Sequence, residues 1–189
     1  MEQSLKGNLI ARAFKYYTGW KCTKNIKKSF DLFNKSVEST EYNEKEKSYC
    51  LSLISFFYNK GHPGIEKNKK KAIEILEESS KMKNSISMNN LAAFYFKGTK
   101  NIEKNILKAL KLYEKACFLN NNVSKYSLAS ILEEGKGGVQ RNFPKAIQLY
   151  KEALYLGNDK AALKLATIYL EGKGGTEINV QKAIELFNM

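Results

Sequence analysis

The residues of this 189-residue chain that could do chemistry are few and widely spaced. His62 is the only histidine, and it stands in the turn sequence Gly61-His62-Pro63-Gly64. A histidine acts as a general base only beside a nucleophile or an acid, and it joins a zinc site only with other ligands at the required spacing. The sequence around His62 offers neither. We therefore expect a solvated turn histidine and no metal site.

Two glycine-rich segments resemble phosphate-binding loops, namely Gly135-Lys136-Gly137-Gly138 and Gly172-Lys173-Gly174-Gly175. Neither fits the spacing GxxxxGK[ST], and neither follows a predicted strand. The acidic pairs Glu77-Glu78 and Glu133-Glu134 fall on predicted helices, where adjacent residues do not face each other across a cleft. We therefore predict a protein that is not an enzyme and has no cofactor.

The glycine-rich segments belong to an internal repeat. Glycines recur every 37 residues, each is followed ten residues later by Lys-Ala, and an asparagine precedes each of these lysines by three residues. A fixed period of this length is typical of helical repeat arrays. The glycines are Gly61, Gly98, Gly135 and Gly172; the lysines are Lys71, Lys108, Lys145 and Lys182; the asparagines are Asn68, Asn105, Asn142 and Asn179.

Each repeat is predicted to contain two helices. Apolar residues precede each glycine at spacings of three and four, which places them on one helix face, and the glycine then ends that helix. The asparagine is suited to cap the second helix. A small residue six positions before each glycine lets a neighbouring helix approach closely; these residues are Ser55, Ala92, Ala129 and Ala166.

This pattern resembles the Sel-one-like repeat (SLR) family. The closest match to its motif lies at Ala161, Leu165, Ala166, Tyr169, Gly172, Gly174, Lys182 and Ala183. The resemblance implies an all-α, right-handed superhelical solenoid of antiparallel helix pairs, with first helices on the concave face. It also implies an adaptor or scaffold that binds proteins. Some secreted members are rich in cysteine and bind cell-wall-like molecules, but this chain lacks their paired cysteines.

We expect one solenoid domain over residues 1–189, with about 4.5–5 repeats. The first repeat, 5–48, is degenerate and contains a longer loop over 38–48 that is either an inter-repeat loop or a helix extension. Regular repeats follow at 49–85, 86–122 and 123–159, and a partial repeat occupies 160–189.

The chain carries 32 basic and 19 acidic residues, for a net charge of +13. This balance suits an anionic partner, although lysines on solvated faces would give the same count. The N-terminal sequence lacks the pattern of a signal peptide, and no apolar run reaches the length of a membrane span. We therefore expect a cytoplasmic protein without a membrane partner, with secretion as an effector left open.

The sequence also indicates where the three cysteines and the single tryptophan lie. Cys50 falls in a repeat slot that holds Ser87, Ser124 and Ala161 in the other copies, and Cys117 in one that holds Ser80 and Leu154, so we expect both in the core. Cys22 lies in a predicted loop. Trp20 follows Gly19, and we expect it to pack over the N-terminal end of the core.

Function in a helical solenoid usually lies on the extended concave surface. First-helix residues that the helical phase leaves out of the core should line this predicted groove. Aromatic residues would anchor a partner, and the charge changes from lysine to glutamate along the array. The candidates are Tyr49, Phe56, Asn59, Lys60, Asn89, Phe96, Lys97, Tyr126, Glu134 and Glu171.

The favoured function is a non-enzymatic adaptor that holds a peptide or protein in this groove, with an acidic segment of the partner near Lys60 and Lys97. The alternative is binding of RNA or another polyanion, and a weak hydrolase of cell-wall fragments is a third possibility. Self-association through the C-terminal end, near Leu186 and Phe187, is a further expectation.

Overall fold

A computed structural model describes residues 8–99 and 102–188 of the chain. These residues form ten α-helices and no β-strand, which confirms the predicted all-α repeat fold. The helices are α1 (Leu9–Thr18), α2 (Ile26–Glu38), α3 (Glu44–Lys60), α4 (Lys69–Lys81), α5 (Ser85–Lys97), α6 (Ile106–Phe118), α7 (Asn122–Glu134), α8 (Phe143–Tyr155), α9 (Asp159–Glu171) and α10 (Val180–Phe187).

The chain divides into two compact units, residues 1–91 and 92–189, with the division inside α5. In the first unit, α1 packs on α2, α2 on α3, and α3 on α4. In the second unit, each helix from α6 to α9 packs on the next one along the chain. Helices α1, α3, α5, α7 and α9 are the first helices of the five repeats, and the others are the second helices.

The loop of the first repeat is shorter than the predicted 38–48, because residues 44–48 are helical. Asn43 and Glu46 form a reciprocal capping box: Asn43 Oδ1 accepts from the Glu46 amide at 3.0 Å, and Glu46 Oε2 accepts from the Asn43 amide at 2.9 Å. Such a box satisfies two helix-terminal N–H groups. The extra residues therefore lengthen α3 to 17 residues, which is the helix extension that the sequence left open.

Every helix in the described residues begins directly after an asparagine. In each case Oδ1 accepts the amide N–H three residues later, at 2.8–3.2 Å. The sequence predicted the five caps of the second helices, and these are confirmed: Asn25, Asn68, Asn105, Asn142 and Asn179. It missed the five caps of the first helices: Asn8, Asn43, Asn84, Asn121 and Asn158.

The asparagine that caps each second helix also closes the loop before it. Its backbone N–H donates to a carbonyl in the last turn of the first helix, at 2.8–2.9 Å. The acceptors are the carbonyls of Tyr16, Tyr58, Tyr95, Leu132 and Tyr169. One residue therefore fixes both the end of the loop and the start of the next helix.

The repeat lysine, three residues after each of these asparagines, has a structural role where that acceptor residue is tyrosine. Its ammonium lies 4.0–4.6 Å from the centre of the tyrosine ring, within the range of a cation–π contact. The pairs are Lys28–Tyr16, Lys71–Tyr58, Lys108–Tyr95 and Lys182–Tyr169. Part of the lysine content therefore joins the two helices of a repeat.

Small residues form the helix contacts, as predicted. The slot six residues before each glycine is buried, with at most 2% exposure at Ala13, Ser55, Ala92, Ala129 and Ala166. The small residue after each repeat lysine is also buried, at Ser29, Ala72, Ala109, Ala146 and Ala183. Alanine and serine at these slots allow the two backbones to approach closely.

The two predicted core cysteines are buried, at 0% exposure for Cys50 and 8% for Cys117. Burial raises the pKa of both thiols to about 11, so both stay protonated at neutral pH. Cys22 is half-buried in the loop after α1, and its Sγ lies 3.5 Å from the Lys15 carbonyl.

The glycine-rich turns are positions of close packing. Gly174 has φ +65°, and a Cβ built there would lie 2.0 Å from Phe143 Cδ1 at the start of α8. Gly137, one repeat earlier, faces Ile106 at the start of α6 in the same way, at 2.9 Å. The resemblance to a phosphate loop therefore comes from a backbone turn that packs under the preceding second helix.

Gly174→Ala should destabilise the protein more than Gly175→Ala. Both glycines have positive φ, so each alanine should cost about 1–2 kcal/mol of backbone strain. Only Gly174 faces a side chain, whereas no described atom lies within 4 Å of a Cβ at Gly175. The overpacking should add about 1–3 kcal/mol in urea unfolding; equal losses in the two variants would contradict this account.

Asn105→Ala should lower the free energy of unfolding by about 1 kcal/mol, because α6 loses its N-cap. Asn105→Asp should retain most of the stability, since a carboxylate also accepts the Lys108 amide and suits a helix N-terminus. Gln140→Ala, at an exposed position in the loop before α8, is the control. Indistinguishable stabilities of Asn105→Ala and this control would refute the capping role.

Candidate partner-binding surface

The first helices expose apolar side chains at one repeated slot. Twelve residues before the glycine stand Tyr49, Ile86 and Val123, with exposures of 38%, 42% and 48%. The sequence placed this slot on the predicted groove, and these side chains are accessible to a partner. Tyr49 and Ile86 lie in the first unit, and Val123 lies in the second.

In the first unit, the predicted anchors Tyr49 and Phe56 are partly supported by neighbouring rings. The Tyr49 ring stacks on Phe14 at a centroid distance of 6.1 Å. Phe56 is 37% exposed, and its ring lies 6.0 Å from that of Phe57. Both side chains are thus held in place while leaving more than a third of their surface in solvent.

The polar candidates of the first unit lie at helix ends and on half-buried faces. Lys60 is exposed at the last position of α3, and Asn59 beside it is half-buried. Asn89 on α5 is half-buried, and its Nδ2 donates to Asn90 Oδ1 at 3.2 Å.

His62 is not a solvated turn residue, so that prediction is wrong. Its backbone bonds reciprocally with Ile65, at 2.9 and 2.8 Å, which folds the turn back toward α3. The ring then packs on Phe57 at 5.6 Å and on Phe56 at 6.2 Å. Its Nε2 is buried without a hydrogen bond to any described residue. His62 therefore packs against the aromatic face of α3.

Trp20 does not cover the N-terminal end of the core, so that prediction is also wrong. The side chain is 59% exposed, and its ring faces the Lys21 ammonium at 4.7 Å. Helix α1 is capped by Gly19, whose left-handed conformation redirects the chain immediately before Trp20. The core of this unit contains Phe14, Phe30, Phe33 and Phe57 instead.

In the second unit, two of the predicted aromatic anchors contribute to packing. Phe96 is half-buried against the core, close to Gly137. Tyr126 is half-buried with its ring 5.5 Å from that of Tyr150. Lys97 is exposed at the last position of α5.

The two acidic candidates each form an ion pair with the lysine two residues later. Glu134 bonds Lys136 at 2.9 Å and accepts from Ser130 at 3.2 Å. The hydrogen bond from Lys136 holds the pKa of the Glu134 carboxyl below its usual value. Glu171 forms the equivalent ion pair with Lys173. The predicted change of charge sign is therefore offset at each glutamate by the lysine two residues later.

A buried carboxylate lies beside these pairs. Glu133 is 7% exposed; it accepts from the Tyr150 hydroxyl at 2.8 Å and pairs with Lys164 at 3.1 Å. Burial, and then the bond to Glu133, raise the pKa of Tyr150. Lys164 is on α9, so the network joins two successive repeats. In the sequence, the feature that corresponds to this network is the doublet Glu133-Glu134, of which Glu133 is the buried residue.

Residues 8–99 and 102–188 bring no three His, Cys, Asp or Glu side chains together as a metal site. Within the same residues, no helix combines the length and apolar character needed to cross a bilayer.

The last repeat leaves part of its apolar surface exposed. Leu186 is buried at 9%, whereas Phe187 is 48% exposed. Tyr150 occupies the slot of Phe187 one repeat earlier and is fully buried. Self-association through this end stays a prediction, for which light scattering at increasing concentration is the measurement.

The sequence pattern of the Sel1 repeat matches residues 9–40, 48–84, 85–121, 123–158 and 159–189. No curated protein matches the chain in sequence.

Three solved structures illustrate the structural likeness. A Sel1 repeat protein from Oxalobacter formigenes has 22% identity and a TM-score of 0.83, over 98% of this chain and 74% of that one. A protective antigen with an SLR fold, present in uropathogenic Escherichia coli strains, has 20% identity and a TM-score of 0.72, over 98% and 38%. Helicobacter pylori cysteine rich protein B has 27% identity and a TM-score of 0.53, over 72% and 95%.

Tyr150→Phe should lower the free energy of unfolding by about 1.5–3 kcal/mol, because a buried carboxylate loses a hydrogen-bond donor. Tyr155→Phe is the matched control, since Tyr155 is 91% exposed. Urea unfolding of both variants measures the difference. If Tyr150→Phe were as stable as the control, the Glu133 network would not contribute to stability.

Proposed function

Because the chain belongs to the Sel1 repeat family over almost all of residues 9–189, we propose that it is a non-enzymatic scaffold that binds a peptide or protein on its first helices. The resemblance drawn from the sequence is confirmed by this match. Sel1 repeat proteins are generally protein-interaction scaffolds, and the family is typically non-catalytic. The location of the proposed binding surface is inferred from the exposed side chains of this protein.

The observation that carries the proposal is the exposed apolar slot on α3, α5 and α7. Tyr49, Ile86 and Val123 recur at the repeat period, and each exposes more than a third of its surface. These exposed side chains are not needed to pack the helix pairs, because residues at other positions of the same helices form the core. Exposed apolar side chains that recur at one slot of successive first helices are available to contact a partner.

The partner that fits this surface is a segment with apolar anchors and acidic residues. Lys60 ends α3 and Lys97 ends α5, and both are exposed. Among the groove candidates, the acidic residues Glu134 and Glu171 are already paired with lysines. Carboxylates of the partner would therefore meet Lys60 or Lys97, whereas Glu134 and Glu171 would add little repulsion.

A random-peptide display library, selected on the purified protein, provides defined probes. Peptides that bind in solution should lose about tenfold or more in affinity to the variant Ile86→Glu with Val123→Glu, because each glutamate places a charge in an apolar contact. The control is Phe118→Glu with Tyr155→Glu, which changes exposed side chains on second helices. Equal affinity for both variants would refute binding on the first helices.

The charge of the partner is tested separately. Lys60→Glu with Lys97→Glu should weaken the selected peptides and reduce the salt dependence of their binding. Lys35→Glu with Lys70→Glu changes the net charge equally at exposed second-helix positions. If both pairs had the same effect, only the overall charge would matter, and the assignment of Lys60 and Lys97 would be wrong.

A further inference from the structure

Two exposed aromatic side chains stand at one slot of the second helices. Phe118 is the last residue of α6 and is 87% exposed; Tyr155 is the last residue of α8 and is 91% exposed. They lie 37 residues apart, so they occupy the same position in successive repeats. Neither ring contributes to the core of the second unit. Such exposure of large aromatic residues carries no benefit for folding.

Hydrogen bonds join the turns that follow these two residues. Asn122 Nδ2 donates to the Leu156 carbonyl at 2.9 Å, and Asn158 Nδ2 donates to the Asn122 carbonyl at 3.3 Å. The turn after α6 is thereby fixed beside the turn after α8. The two rings consequently lie at the same edge of the second unit.

Lysines and one more apolar residue share the exposed side of these helices. Leu107 is 65% exposed and lies three helical turns before Phe118, about 20° away around α6. Exposed lysines lie along the same two helices together with the exposed Glu114, and Glu152 on α8, whose side chain is 38% exposed, is paired with Lys125. We call the following set the outer face: Leu107, Lys111, Lys115 and Phe118 on α6, and Lys151 and Tyr155 on α8.

We propose that the outer face binds the surface of an anionic lipid bilayer. Helices α6 and α8 lie along the bilayer, Leu107, Phe118 and Tyr155 enter the boundary between headgroups and acyl chains, and the lysines contact anionic headgroups. Stable adsorption of a peripheral protein requires an apolar anchor together with a basic patch. The outer face supplies both, and lysines near an anionic surface add to its affinity.

The observations favour a bilayer over a second copy or a folded protein partner. A net charge of +13 disfavours a second copy on this lysine-rich face, where like charges would meet. The two rings together offer about 400 Å² of contact area, well below the roughly 800 Å² per partner of a stable protein interface. They also project from the surface, and a lipid surface adapts to projecting side chains without a matching pocket.

This partner differs from the sequence-based expectation of no membrane partner. That expectation was based on the lack of a long apolar run and of a signal-peptide pattern. Those two features indicate membrane-spanning and cleaved segments, not a surface that adsorbs to a bilayer. The outer face becomes visible only after folding, since Phe118 and Tyr155 are far apart in the chain.

Vesicle sedimentation with the purified full chain tests the proposal. We expect binding to vesicles of phosphatidylcholine mixed with phosphatidylserine, weaker binding to phosphatidylcholine alone, and release by salt. Phe118→Ala with Tyr155→Ala should lower the partition coefficient by about tenfold or more. Trp20→Ala is the matched control, because Trp20 is a 59% exposed aromatic residue of the first unit. Circular dichroism checks that each variant keeps its helices.

Charge and insertion are measured with two further sets of variants. Lys111→Glu with Lys151→Glu should weaken binding more than Lys35→Glu with Lys70→Glu, which changes the net charge equally. For insertion, Tyr155→Trp in a Trp20→Phe background places the only tryptophan on the outer face. Its emission should shift to shorter wavelength on anionic vesicles and should be quenched by brominated lipid.

Three results would overturn the proposal. The first is no binding of the wild-type protein to anionic vesicles at low salt. The second is unchanged binding after loss of both rings. The third is binding of polyuridine through the same lysines without any binding to vesicles, which would assign the outer face to RNA. Each leaves the peptide-binding proposal intact, since that proposal concerns the first helices.

Discussion

Asparagine capping is the interaction on which the rest of this structure depends. Most of the helices are 13 residues long, a length that is marginal for an isolated helix in water. An asparagine side chain fixes the start of every described helix, and at the second helices the same residue closes the preceding loop through its backbone. Loop length and helix register are therefore set by one residue type at a constant spacing. Only then do Ala92, Ala129 and Ala166 meet the neighbouring helix at equivalent depth.

The structure also assigns packing and ion-pairing roles to some of the lysines that make up the net charge. Four repeat lysines lie over tyrosine rings and join helix pairs, while Lys136, Lys164 and Lys173 neutralise carboxylates. Seven of the 32 basic residues thus contribute to contacts within and between the repeats. Exposed cations at the ends of first helices and along the outer faces of second helices remain for a partner. The two surfaces proposed above are the places where exposed apolar side chains accompany such cations.

Much of the fold was predictable from the sequence, because Gly61, Asn68 and Lys71 and their equivalents mark a helix end, a helix start and a helix contact. The first-helix caps were missed, although Asn84, Asn121 and Asn158 show the same period. The errors at His62 and Trp20 have a different origin. Each lies in a turn whose direction is set by backbone hydrogen bonds or by a left-handed glycine, and residue type alone does not reveal that direction. The burial of Glu133 depends on Tyr150 and Lys164, which come from other helices.

The central claim is that most side chains of each repeat serve helix packing, whereas the exposed apolar slot on the first helices binds the partner. Site-resolved hydrogen exchange, with and without a selected peptide, tests it most directly. The account predicts slower exchange on peptide binding in the first turns of α3, α5 and α7, with α4, α6 and α8 unchanged. Slower exchange confined to the second helices would contradict it.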